Sequence, residues 1–235
     1  MNDSQGGTPV HDGSALTIRC FVGGPFQENT YLLECRSSGA LAIVDPGHAT
    51  RELLSHIEGR EDAVSEIFLT HAHLDHVEGL PLLRPGVTAP IHLHPDDRAL
   101  YARAAEQAQA FGLRLPGELP EIDRWIDPDE ALSFGEVDFE VRFAPGHAPG
   151  HVILHHPEEG VALVGDVIFR RSIGRTDLPG GDTQTLLESI RREVLTLPDE
   201  TRLLTGHGPA TTVAEERMGN PFLRPQMRGG MGGFA

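Results

Sequence analysis

The sequence predicts a layered α/β domain, and three features carry that expectation. Short apolar runs of strand length alternate with stretches of helical period. Gly, Pro and Asp cluster between them as turn formers. The order strands, helix, histidine-bearing loop recurs once in each half of the chain without an exact repeat, as two similar halves packed together would require.

The elements follow in order. LTIRCFV and NTYLLEC, separated by the turn-forming GGPFQE, predict a hairpin, and LAIVD adds a short strand ending at Asp45-Pro46-Gly47. ATRELLSHIEG carries Leu53, Leu54 and Ile57 at helical spacing. EIFLT is an apolar run leading straight into HAHLDHVEGL, and the stretch around IHLH is a further strand. PDDRALYARAAEQAQAFG reads as one helix with Pro95 near its start and Gly112 at its end. Gly112–Asp129, with three prolines, reads as an insertion or lid. EVDFEVRFA alternates as a half-buried strand should; HVILHH and VALVGD are strands joined by PEEG. TQTLLESIRREVLTL is amphipathic through Leu186, Leu187, Ile190 and Val194, and RLLTG is a last strand. Residues 1–14 and 224–235, rich in Gly and polar groups, are expected to be poorly ordered, leaving 15–223 as one domain.

Composition excludes several classes of function. All 19 basic residues of the 235-residue chain are arginine. Without lysine there is no P-loop, no Schiff-base or pyridoxal-phosphate chemistry, and no protein kinase of the usual type. A net charge of −16 argues against nucleic acid, which needs a concentrated positive surface. No leader-like segment and no apolar run long enough for a bilayer is visible, so a cytoplasmic protein without membrane contact is expected. Cys20 and Cys35 lie on the two hairpin strands without an evident opposing register and are expected to be reduced thiols.

Histidine is abundant, at 13 residues. Four ligand candidates fall within the segment His71-Ala72-His73-Leu74-Asp75-His76, directly after an apolar strand. In an extended loop His71 and His73 face one site, while Asp75 and His76, where the chain turns into a helix, face a neighbouring one. His147 in APGHAPGH, Asp166 in ALVGD and His207 in LLTGHGP each follow an apolar strand beside glycine, which permits the tight turns that aim a short loop inward. Imidazole with carboxylate suits Zn, Fe or Mn.

On these residues, with Asp45 in VDPG, the chain resembles the metallo-β-lactamase fold superfamily. ENTY, PGHAPGH, GDVIF, GRTDLPGGD, GHGP and ERMGNPFL resemble the short, single-domain glyoxalase II-like (hydroxyacylglutathione hydrolase-like) branch. The resemblance spans about Leu16 to Leu223. It implies a four-layer αββα sandwich. It implies two divalent metal ions, zinc favoured: one held by His71, His73 and His147, the other by Asp75, His76 and His207, with Asp166 bridging. Asp45 would orient a ligand histidine. The implied activity is hydrolysis of an anionic thioester such as S-lactoylglutathione by a metal-bridging hydroxide, with Asp75 orienting it.

The chain departs from the larger glyoxalase II proteins, whose C-terminal helical domain binds glutathione partly through lysine; here 28 residues follow His207 and lysine is absent. Arg170, Arg171 and Arg175, just after Asp166, are candidate substitutes for anion binding, balanced against salt bridging to Asp177 or Asp182. His151, His155 and His156 read as structural or exposed, His92 and His94 as packing or exposed, and His11 and His56 as solvated; His48 lies near the site without an assigned role. Two alternatives remain: a mononuclear iron persulfide dioxygenase of the same fold, and a hydrolase of another ester or lactone, including a β-lactam.

Overall fold

The computed structural model describes residues 6–224 and resolves them into two sheets clasped between helices. The first sheet has seven strands in sequential order: β1 (Thr8–Asp12), β2 (Leu16–Gly23), β3 (Glu28–Cys35), β4 (Leu41–Val44), β5 (Val64–Phe68), β6 (Ile91–Leu93) and β7 (Arg124–Trp125). Strands β1 to β4 pair antiparallel and β4 to β7 parallel. The switch is forced by the connections: tight turns join the first four, whereas α1 (Thr50–His56), α2 (Leu74–Val77), α3 (Leu80–Leu83), α4 (Arg98–Ala102) and α5 (Ala104–Ala110) belong to the crossovers between the rest.

The second sheet comprises β8 (Leu132–Phe134), β9 (Val137–Phe143), β10 (Val152–His156), β11 (Val161–Gly165), β14 (Arg202–Thr205) and β15 (Thr211–Thr212), in the order β15-β14-β11-β10-β9-β8. A small hairpin, β12 (Ile168–Phe169) and β13 (Ser172–Ile173), leaves the end of β11, and α6 (Thr183–Ser189) and α7 (Val213–Gly219) complete the chain.

Strand alternation makes the layers. Ile18, Leu33 and Val44 meet Phe139, Leu154 and Leu163 between the sheets. The opposite faces of the same strands pack elsewhere: Leu32, Ile43 and Ile67 on Leu53, Val77 and Leu83, and Ile153, Val164 and Leu203 on Leu186, Ile190 and Val194. Three apolar layers between four structural ones are the αββα sandwich. Leu33 is fully buried between the sheets. Leu33→Ala is expected to lower unfolding stability by about 2–5 kcal/mol, read from urea denaturation.

Four expectations need correction. Residues 8–12 form edge strand β1 where an unordered segment was expected; its backbone bonds to β2, while Glu159 ties Ala15, Ser14 and His11 down. Residues 1–5 and 225–235 lie outside the described part. Gly112–Asp129 is no lid: β7 extends the first sheet, Leu115, Leu119 and Ile122 pack on its outer core, and Ile126 enters the inter-sheet core. The helix after Pro95 divides into a 3-10 turn and two short helices broken at Arg103. The helix at 183–197 passes from α6 into a π-helical stretch, Ile190–Val194, which keeps Ile190 and Val194 on the buried face.

Cys20 pairs across the ladder with Tyr31 and Cys35 with Leu16, so the two thiols are separated in register and both are free. Among the described residues no helix is long and apolar enough to cross a membrane.

Candidate metal centre

The seven ligand candidates converge where strands of both sheets end. His71, His73, Asp75 and His76 follow β5, His147 follows β9, Asp166 follows β11 and His207 follows β14. Ligand atoms of His71, His73 and His147 lie within 4.8 Å of one another, as do those of Asp75, His76 and His207. Asp166 sits between the groups, with Oδ2 3.3 Å from His147 Nε2 and 3.4 Å from His207 Nε2, and Oδ1 3.5 Å from His76 Nε2.

Two of the rings are oriented by backbone carbonyls, which turns Nε2 inward. His147 Nδ1 donates to the carbonyl of Arg175 at 2.7 Å and His207 Nδ1 to that of Phe26 at 3.0 Å. A carbonyl only accepts, so Nδ1 carries a proton and Nε2 is the nitrogen turned toward the cation site. His76 Nδ1 lies 3.0 Å from Asp45 Oδ2. Thr70 Oγ1 donates to that same oxygen at 2.7 Å and lies 3.0 Å from His71 Nδ1, which completes a relay from His71 to Asp45.

Asp45 also belongs to a possible ligand group with His71 and His76. Its oxygens are already engaged by Thr70 N at 2.7 Å, the Thr70 hydroxyl and His76, so it supports the ligands. It adopts φ +50°, an uncommon left-handed conformation that Asp tolerates better than most residues.

These residues fit a pair of divalent cations. His71 Nε2, His76 Nε2 and Asp166 Oδ1 are buried without hydrogen-bond partners, a costly arrangement unless a cation meets them. His73 Nδ1 and His147 Nε2 stand 2.7 Å apart, and since the His147 Nδ1 proton is donated to the Arg175 carbonyl, His147 Nε2 is the acceptor of this close pair.

Charge divides the centre into two halves. Burial and the neighbouring imidazoles push His71 far below the ordinary histidine range, and burial with His147 takes His73 to about 3. On the other side, burial disfavours the charged rings but the carboxylates outweigh it: His76 is raised well above its ordinary value and His207 to about 10. Burial raises Asp166, yet His76, His207 and His147 hold it well below the usual carboxylate range. The three-histidine half therefore offers neutral imidazoles, and the acidic half draws positive charge.

Three supports were not assigned to the site from the sequence. Asp97, fully buried, accepts from Gly150 N at 2.6 Å through Oδ1 and from Ala72 N at 2.8 Å through Oδ2, joining the His71–His76 loop to the His147 loop. Gln107 Oε1 accepts from Leu74 N at 3.1 Å. His151, expected only to be structural or exposed, is buried; its Nε2 accepts from Asp166 N at 3.0 Å and its ring stacks on His71 at 4.6 Å. His151 was visible four residues after His147, but nothing in that spacing distinguishes a ligand from a support.

ENTY also serves the site. Asn29 Nδ2 donates to the carbonyls of Thr205 and Gly208, and Tyr31 Oη to Thr205, which fastens the His207 loop to the first hairpin. Gly206 is required here because a Cβ would overlap Asp166 Oδ1 and the His76 ring. Gly206→Ala is expected to reduce bound metal and turnover about 10–100-fold while circular dichroism stays unchanged; elemental analysis and kinetics check it.

The centre floors a cleft of about 310 Å³ with apolar walls that include Phe26, Phe169, Ile173 and Leu178. Of the three candidate arginines only Arg175 lines it, with its guanidinium bonded to Asp177 at 2.8 and 2.7 Å. Arg170 and Arg171 form the turn of the β12–β13 hairpin, with Arg171 N tied to Glu216 of α7, and neither is among the residues that line the cleft. Asp182 caps α6 instead of pairing with arginine. Elsewhere His92 bonds Glu66, His94 stacks on Phe143, and His11 is bonded to Glu159.

Fold and site together define a metal-dependent hydrolase, and the chain belongs to the metallo-β-lactamase superfamily, whose family model matches residues 23–207. Among curated relatives it is 40% identical over 201 residues to hydroxyacylglutathione hydrolase GloC of Haemophilus influenzae, covering 84% of this chain and 93% of that protein. Among solved structures it is similar to TTHA1623 in a di-iron-bound form, with 41% identity and TM-score 0.78, covering 87% of this chain and 99% of that one. The BLEG-1 B3 metallo-β-lactamase matches at 34% identity and TM-score 0.78, covering 88% of this chain and 100% of that one.

Proposed function

We propose that the chain hydrolyses thioesters of the S-lactoylglutathione type with two divalent cations. The carrying observation is the pair of ligand groups on either side of Asp166 at the floor of an apolar-walled cleft. His71, His73 and His147 would hold one cation, Asp75, His76 and His207 the other, and Asp166 would bridge them. The donor set accepts zinc, iron or manganese, and TTHA1623 was crystallised in a di-iron-bound form. When bound, such a pair activates water near neutral pH and polarises a carbonyl group as a Lewis acid.

The chain supplies orientation and exclusion. Asp75 lines the cleft with Oδ2 3.3 Å from His207 Nε2, and burial is outweighed by His76 and His207, which keep it ionised. It accepts a hydrogen bond from the attacking water and aims it at the thioester carbon. Phe26 and Phe169 exclude bulk water, and Arg175 meets an anionic part of the thiol carrier. The hydroxyacylglutathione hydrolase name of the Haemophilus relative supports this substrate class.

A second reading, β-lactam hydrolysis, has one observation in its favour, the similarity to BLEG-1. Steady-state kinetics with S-lactoylglutathione and with a chromogenic cephalosporin separate the two. The expected result is a kcat/KM at least about 100-fold higher for the thioester; a preference for the cephalosporin transfers the assignment to the second reading.

A further inference from the structure

We propose that the cleft continues into an acyl-chain groove, so that thioesters with an extended apolar acyl group are preferred over those with a short one; this rests on the thioester reading. Beside the metal cleft lies a second cavity of about 360 Å³. Ala99, Leu100, Ala110, Phe111, Pro149 and Leu178 supply its apolar lining. Phe111 and Leu178 also line the metal cleft, and ligand candidate His73 borders both. The groove therefore starts where the reacting carbonyl must sit.

Its chemistry selects the occupant. The charged residues of the groove, Arg103 and Glu106, are exposed and bonded to each other at 2.7 Å, and apart from His73 and Gln107 the rest of its lining is apolar. A polar thiol carrier with carboxylates and amides would lose water there without gaining hydrogen bonds. Methylene groups gain from the same transfer. The carrier instead takes the side of the metal cleft lined by Ser172 and Arg175, and the acyl chain the groove. Phe111, 42% exposed, rests edge-on against Phe26 at 5.2 Å between ring centres. Its exposed apolar surface at the junction of the two cavities is what an acyl chain would cover. The reaction is ordinary hydrolysis: the C–S bond breaks, a C–O bond to water forms, and a carboxylic acid and a thiol leave.

The test is a chain-length series on the metal-loaded protein: S-acetyl-, S-butyryl-, S-hexanoyl- and S-octanoylglutathione, with binding of the matching S-alkyl thioethers measured by calorimetry. The expected result is a rise of about 4-fold in kcat/KM and in thioether affinity per added methylene until the groove is filled. Ala110→Trp, which fills the groove from an exposed helix position outside the metal cleft, is expected to cut octanoyl turnover at least ~10-fold and to leave acetyl turnover within about 2-fold. Retained acetyl turnover shows that the variant is folded, and Ala99→Trp provides an independent block. A flat series in wild type, or a series that both variants leave unchanged, overturns the groove. If no thioester is cleaved while thioether binding still tightens with chain length and weakens in Ala110→Trp, the groove stands and the hydrolase reading falls.

Discussion

Asp166→Ala is expected to lose more than about 100-fold in turnover, beyond the 10–100-fold range usual for residues that only support a metal ligand. Asp166 contributes to both halves of the centre: Oδ2 faces His147 and His207, and Oδ1 faces His76. Removing it leaves the three-histidine group and the Asp75–His76–His207 group with no shared anion to balance two cations. Metal content is therefore expected to fall together with activity. The backbone of Asp166 remains on His151 in the variant, so the loop itself should keep its place. Wild-type metal content and turnover in a folded Asp166→Ala protein would refute the bridging role.

Asp97→Ala is expected to have the second-largest effect, first on stability. Two buried backbone N–H groups, of Ala72 and Gly150, lose their acceptor. At about 1–3 kcal/mol for each unsatisfied group, the loss is roughly 2–6 kcal/mol. Burial raises the Asp97 carboxyl to about 6, so it is still mostly ionised at neutral pH and accepts both bonds. Those bonds hold the His71–His76 loop at a fixed distance from the His147 loop, and metal retention should fall with the melting temperature. Asp97→Asn keeps one acceptor and should recover part of both. Calorimetry with elemental analysis checks this; a variant that melts like wild type and retains its metal would show that the two loops hold their spacing unaided.

The parts of the fold that the sequence announces are those with local periodicity. β9 and the first half of β2 alternate, β3 is an apolar-rich run buried along nearly its whole length, and their turns carry the expected residues. β1 has no such signal: TPVHD is polar, lies at an edge, and is ordered by the backbone of β2, with Glu159 securing the turn that follows. β7 is two exposed residues, fixed by a neighbour remote in sequence. The π-helical stretch at Ile190 satisfies a helical pattern and could not be told from an α-helix.

The ligand candidates were legible because imidazoles and carboxylates at strand ends, beside glycine, form a pattern that few other sites share. Their supports were not. Asp97 reads as an ordinary acidic residue at a helix start, and Gln107 as a helix-surface amide, until tertiary contacts place them on Ala72, Leu74 and Gly150. The arginine cluster left two readings open for a related reason. Proximity in sequence to Asp166 does not survive a two-residue hairpin, which puts Arg170 and Arg171 at its turn and leaves only Arg175 on the cleft.

The central claim is a hydrolase working through two cations, and the most direct measurement couples metal stoichiometry to reaction type. Elemental analysis of the purified protein should be paired with S-lactoylglutathione hydrolysis and with oxygen uptake on glutathione persulfide. The expected result is close to two divalent metals per chain, thioester cleavage, and no oxygen uptake. One iron per chain with persulfide-dependent oxygen uptake would contradict it.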